Sequence, residues 1–194
     1  VADQTVSVST VDNDTAGFTI TETGGSTAVA ETGTTDTFAV VLTAQPSSNV
    51  VLSITSGDTG EAVVNGSTAS NNILTFTSGN WNTPQSFTVT GVDDNLVDGT
   101  ITSTLTVAVV DALSDDSFDA VADQTVSATT TDNDTAGFTV AQSGGSTSVS
   151  EAGTTDTFTV VLSAQPTSDV VITITSSDTG EATVNSPLTF TPAN

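Results

Sequence analysis

The segment Val1-Ala2-Asp3-Gln4-Thr5-Val6 returns unchanged at Val121-Ala122-Asp123-Gln124-Thr125-Val126, an offset of 120 residues. Similarity continues through Glu61-Ala62 and Glu181-Ala182. A period of 120 residues is the size of one domain, far longer than a solenoid repeat, so the chain must fold as tandem copies of a single architecture. Residues 15–134 read as one whole domain. Residues 1–14 read as the last strand of a preceding repeat, and residues 135–194 as the first half of the following one. Both ends of the sequence read as cuts through a longer array. A half domain is expected to leave an apolar face without a partner.

Within the whole domain the pattern is β throughout. Apolar and polar residues alternate with period two in Phe38-Ala39-Val40-Val41-Leu42, in Phe87-Thr88-Val89 and in Leu105-Thr106-Val107. Thr and Val are abundant, and Gly, Pro, Asn and Ser punctuate the runs. Seven strands are expected. They are A (Phe18 to about Val29), B (36–42), C (50–55), D (73–77), E (86–92), F (101–110) and G (125–131). No stretch has helical periodicity. The fold class is therefore all-β, a tandem array of Ig-like antiparallel β-sandwiches with about seven strands each.

Charge then narrows what such a sandwich can meet. The chain has 23 acidic residues and no Lys, Arg or His, for a net charge of −23. Nothing can neutralise phosphate, which excludes nucleic acid, and an anionic membrane surface repels the chain. No apolar run is long enough to span a bilayer, so no membrane insertion is expected in this segment. With no Cys and no His, disulfides and zinc sites fall away. Every carboxylate has to face water or a bound cation.

If the strands alternate in direction, the AB, CD and EF loops and the chain after strand G share one end of the sandwich. Those places hold Glu31, then Asp58 and Glu61, then Asp93, Asp94 and Asp98, and last Asp132 and Asp134. Oxygen ligands without nitrogen or sulfur suit a hard cation. Calcium accepts six to eight oxygens in flexible geometry, whereas magnesium demands a tighter octahedron. Because Asp132-Asn133-Asp134 also forms the linker to the next repeat, a cation there would stiffen the joint. The competing reading is that these acids are solvated turns, which Asp and Asn favour on conformational grounds.

The same residues carry a resemblance. Val29-Ala30-Glu31, Val92-Asp93-Asp94 with Asp98, and Asp132-Asn133-Asp134-Thr135-Ala136-Gly137-Phe138 resemble Calx-beta domains, the repeats of sodium–calcium exchangers and of very large bacterial surface proteins. The resemblance covers the full repeat. It implies calcium as cofactor and Glu31, Asp93, Asp94, Asp98, Asp132 and Asp134 as its ligands, with Asp12, Asp14 and Glu151 as the matching residues of the flanking units. The CD loop departs from the family pattern, and Asp58 stands in as its substitute ligand. The implied role is structural, as a repeat of an extracellular adhesin or filament whose partners are its neighbouring repeats.

Other readings attach to single features. Trp81, flanked by Asn80, Asn82 and Pro84, is either a cap on the core or a platform for stacking a sugar. The latter would make the domain a glycan-binding module. Residues 1–14 of one chain could also complete the half domain of another by strand addition, giving self-assembly. The acidic segment Asp115-Asp116-Ser117-Phe118-Asp119 falls at the opposite end and is expected to be a solvated loop or the facing wall of a joint. With no His, Cys, Lys or Tyr, and Ser without an evident base, no catalytic constellation forms, and the chain is not expected to be an enzyme.

Overall fold

Alternating runs become strands by burying every second side chain. The computed structural model describes residues 1–65 and 72–194. The first five strands are β1 (Phe18–Glu22), β2 (Thr27–Ala30), β3 (Thr35–Leu42), β4 (Val50–Ser56) and β5 (Ala62–Asn65). They are followed by β6 (Ile73–Phe76), β7 (Gln85–Gly91), β8 (Ile101–Val109) and β9 (Gln124–Thr131). One sheet has the order β1-β3-β7-β5 and the other β2-β9-β8-β4-β6. All neighbours are antiparallel except β2 and β9, which run parallel.

The inner faces meet in a single core. Phe38, Val40 and Leu42 of β3 and Phe87 and Val89 of β7 lie against Leu52 and Ile54 of β4, Leu105 and Val107 of β8, and Val126 and Ala128 of β9. Phe38 and Phe87 form a tilted pair with centroids 5.6 Å apart. Fully burying a side chain of this size stabilises the fold by about 1.5–3 kcal/mol. Trp81 packs half-buried against this core, as a cap.

One of the seven expected strands divides between the sheets, and one further strand appears. Strand A starts as β1 in one sheet and ends as β2 in the other. Gly24 and Gly25, at φ of 70° and 85°, make the crossing in a backbone region that other residues avoid. The expected strand D is β6, in the second sheet, and β5 over Ala62–Asn65, at the edge of the first, is a strand the sequence reading did not include. β1 and β2 run the same way, as do β5 and β6, so strand parity survives although the described residues of the whole domain hold nine strands where seven are expected.

At the end remote from the boundary loops, Asp115 is buried rather than solvated. One carboxylate oxygen accepts from the Ser47 N–H at 2.7 Å, the Ser47 hydroxyl at 2.6 Å and the Ser48 N–H at 2.8 Å. The other accepts from the Ser117 N–H at 3.0 Å and its hydroxyl at 2.6 Å. These donors, the Ser117 and Ser47 hydroxyls first, hold the acid far below the ordinary carboxylate range. Asp115 thus braces the β8–β9 loop to the β3–β4 turn. Asp115→Ala strands those N–H groups and is expected to lower the thermal midpoint by several degrees. Asp116→Ala, at an exposed neighbour, should leave it in place; circular dichroism melts of the two variants check this.

Residues 135–194 form two small ladders, β10 (Phe138–Gln142) with β11 (Phe158–Leu162), and β12 (Val170–Ile172) with β13 (Leu188–Phe190). Phe138 is 56% exposed where its equivalent Phe18 is 4% exposed, and Val171 is 57% exposed against 7% for Val51. The strands are those of the complete repeat, without the opposing faces that bury them there. Residues 1–17 lie outside every strand.

Candidate metal centre

The parallel pairing of β2 with β9 sets Ala30 opposite Thr131. The chain therefore leaves both strands at the same place and in the same direction. The Glu31 N–H donates to the Thr131 carbonyl at 3.1 Å, and the Asn133 N–H donates to Glu31 Oε2 at 3.1 Å. Glu31 stands beside the boundary residues 132–134 because the first and last strands are neighbours. The second pairing that matters is β5 with β7, which sets Ala62 opposite Gly91. The Val92 N–H donates to the Glu61 carbonyl at 2.9 Å, and the Thr130 hydroxyl donates to that same carbonyl at 3.2 Å. Glu61 is thereby held from both sheets, next to the loop after β7.

Two groups of carboxylates result. Oxygens of Glu31, Glu61 and Asp94 all lie within 4.8 Å of one another, and so do oxygens of Glu31, Asp132 and Asp134. Glu31 belongs to both. Glu31 and Glu61 are buried, at 1% and 6% exposure, while Asp94, Asp132 and Asp134 are half-buried. Burial foremost, then the charges of Asp132, Asp94 and Asp98, raises the Glu31 carboxyl above its ordinary value against the opposing Asn133 N–H. Glu61 is raised by burial and then by Asp98, Asp58, Glu31 and Asp94. Burial and the neighbouring acids raise Asp134 as well. Asp132 moves the other way, lowered by N–H groups of Gly99 and Asp134. Those two donate at 2.8 and 2.6 Å.

The remaining expected ligands take other places. Asp93 Oδ1 accepts from the Asn133 side-chain amide at 2.7 Å, and the Asp98 N–H donates to Asp132 at 3.1 Å, so both acids line the rim. Asp58 turns to its own loop, where its Oδ1 accepts from the Gly60 N–H at 3.0 Å. Its charge still reaches Glu61. Asp12 and Asp14 are exposed, tied only to each other through the Asp14 N–H at 2.9 Å. Glu151 is exposed in a turn. The structure brings none of these last three to the cluster.

Glu61 stands closer to the centre than Asp58. The signal lies in the residues next in the chain: Ala62-Val63-Val64 continues Glu61 into a strand, whereas Thr59-Gly60 continues Asp58 into a turn.

A buried carboxylate needs a partner, because leaving one ionised and alone in a low-dielectric site carries a large free-energy cost. Among the described residues Glu61 Oε2 and Asp134 Oδ2 are buried and have no hydrogen-bond donor. With no Lys, Arg or His in the sequence, no side-chain cation is available for them. The donor set is entirely oxygen, which fits a hard divalent cation.

No family model matches this chain, and no curated protein matches it either. Solved structures do resemble it. The apo-form Calx CBD1 domain does so at 14% identity and a TM-score of 0.43, covering 62% of this chain and 100% of that one. SSP-19, an MSP-domain protein-like family member of Caenorhabditis elegans, does so at 17% identity and a TM-score of 0.35, covering 55% of this chain and 92% of that one. The surface layer protein SbsC, domains 1–6, does so at 14% identity and a TM-score of 0.39, covering 87% of this chain and 24% of that one. The metal centre rests on its own residues. No helix among the described residues is long and apolar enough to cross a membrane.

Proposed function

We propose that this chain is a structural stretch of an extracellular surface adhesin or filament, in which calcium held at the tip of each sandwich stiffens the joint to the next. The observation that carries this reading is the pair of buried carboxylate oxygens without donors, Glu61 Oε2 and Asp134 Oδ2, in a chain devoid of cationic side chains. Glu31, Glu61 and Asp94 would hold one ion, and Glu31, Asp132 and Asp134 a second. Asn133 positions Glu31 through its backbone N–H and Asp93 through its side-chain amide. The bound cation would supply charge neutralisation and a rigid crosslink between the ends of β2, β7 and β9. Since residues 132–134 lead directly into the following repeat, fixing them fixes the joint.

Calorimetric titration of the full chain tests this. Calcium is expected to bind saturably, and magnesium far more weakly. Glu31→Gln should weaken both ions together by at least about tenfold, since even losing an outer partner of a metal ligand costs about 10–100-fold. Asp58→Asn should leave both in place. A titration with no calcium heat and no change in melting would reject the reading.

A further inference from the structure

The loop after β7 does more than present acids. Its Asn95 carbonyl accepts from the backbone N–H of Gln165 at 2.7 Å, and Leu96 forms a parallel β-bridge with Gln165. Gln165 lies in the turn between β11 and β12, in the following repeat. The tip of the complete repeat is thus seated on a corner of its neighbour by main-chain pairing, in addition to the covalent linker. The bridge is anchored on the acidic side too, because the Leu96 N–H donates to Asp94 Oδ1 at 2.7 Å.

The complete repeat owns the same corner. Ala164-Gln165-Pro166 corresponds to Ala44-Gln45-Pro46, and Gln165 follows Asp134 by 31 residues just as Gln45 follows Asp14. The linkers are identical, Thr135-Ala136-Gly137-Phe138 and Thr15-Ala16-Gly17-Phe18. The corners are also built alike. The Gln165 side-chain amide donates to the Pro192 carbonyl at 2.9 Å, and that of Gln45 donates to the Ser78 carbonyl at 2.8 Å. At Gln45, however, the backbone N–H donates to nothing among the described residues. Asp115 holds the adjoining Ser47 and Ser48 in place.

From this we infer that the Gln45 corner is a socket for the β7–β8 loop of another copy of this repeat, the copy whose last strand has the sequence of residues 1–14. Each repeat then carries a plug, Asn95-Leu96, and a socket, Gln45-Pro46, at opposite ends, and one joint geometry propagates along the array. The contact is between main chains, so side-chain drift among repeats need not disturb it. The socket also carries the exposed Asp111, Asp116 and Asp119 of the braced loop. A tip bearing Asp93 and Asp98 approaches that surface more favourably with its own charge neutralised. Beyond calcium binding, the corner is the surface on which the loaded tip lands.

The sequence has no cysteine, so paired spin labels can be placed freely. In the full chain, Val97→Cys with Asp169→Cys reports the joint at Gln165. The joint at Gln45 is reported in a chain lengthened by residues 15–120 ahead of Val1, so that residues 1–14 complete the added repeat. There Val97→Cys is placed in the added copy and Asn49→Cys in the original. In calcium, pulsed electron resonance is expected to give narrow distance distributions with the same maximum for both pairs. Gln45→Pro, which removes the N–H donor, should broaden the second pair and leave the first alone. A broad distribution for the second pair beside a narrow first pair would overturn the socket, whatever calcium does. Two narrow distributions in a chain that shows no calcium heat would keep the socket and reject the calcium reading instead.

Discussion

Removing calcium with EGTA should lower the melting midpoint of the complete repeat by about 15 °C relative to millimolar calcium. An ion that binds only the folded state stabilises by about 2.7 kcal/mol at a hundred times its Kd. Two such ions give about 5 kcal/mol, and 1 kcal/mol moves the midpoint of a domain of this size by roughly 2–4 °C or somewhat more. Glu31 sits in both carboxylate groups, so Glu31→Gln, which weakens binding of both ions at least about tenfold, should lose about half or more of the calcium-dependent rise in midpoint. The substitution removes a buried charge, and in EGTA the variant should therefore melt above the parent. A simple loss of packing would lower the midpoint in both conditions. Scanning calorimetry of parent and variant, each with calcium and with EGTA, separates the two outcomes. Equal parent midpoints in calcium and in EGTA would reject the prediction.

The same melts, repeated against pH, should slope in opposite directions. In the metal-free chain Glu31, Glu61 and Asp134 have native pKa values above their ordinary ones. Such groups contribute stability while protonated, below the unfolded pKa, and that stability is lost as pH rises through the native value. The EGTA midpoint should therefore climb as pH falls from 7 towards 5. Asp132 and Asp115 have lowered native values. Their stability is present above the unfolded pKa and is lost only at more acid pH, as their native values are crossed. With calcium bound, protons compete with the ions for the first three acids, and the midpoint should fall over the same interval.

Much of this architecture is visible in the residues before any coordinates. Period-two runs such as Phe38-Ala39-Val40-Val41-Leu42 locate the strands because a sheet with one buried face allows no other spacing. Strand parity alone places Glu31, Asp94, Asp132 and Asp134 at one end, and the sheets put them there. Which acids touch is another matter. Glu31 meets Asp132 and Asp134 only because β2 pairs parallel with β9, and that pairing depends on strand A changing sheets at Gly24-Gly25. A sheet change leaves a strand's direction intact, so parity cannot reveal it. Glu61 outranks Asp58 for a similar reason. Its position depends on β5 pairing with β7; Ala62-Val63-Val64 marks a strand there, but which strand it pairs with is a tertiary choice that the residues do not show. Asp115 is legible as an acid in a polar loop; its burial depends on Ser47, 68 residues away in sequence.

The largest single-residue effect expected outside the acids is at Gly91, the last residue of β7. A Cβ there would overlap the carbonyl oxygen of Ala30 and crowd its carbonyl carbon and nitrogen. The obstacle is backbone from the opposite sheet, so no rotamer change can relieve it. The Gly91 N–H also donates to the Thr34 carbonyl at 3.0 Å, which holds the strand close. Gly91→Ala must separate β7 from β2 at the position next to Glu31. Overpacking a tight interior costs about 1–3 kcal/mol, and rigid backbone on one side argues for the upper end. Because Ala30 carries Glu31 with it, the carboxylate moves away from Glu61 and Asp94, which are anchored on the β7 side. The variant should therefore lose stability in EGTA and, in addition, lose most of the extra stability that calcium confers. Gly79→Ala is the control, since a Cβ there meets only the Thr77 hydroxyl at 3.8 Å, and it should change stability by less than about 0.5 kcal/mol. A Gly91→Ala protein that melts like the parent and keeps its full response to calcium would mean that the sheets are not pressed together at this point and that Glu31 is held from elsewhere.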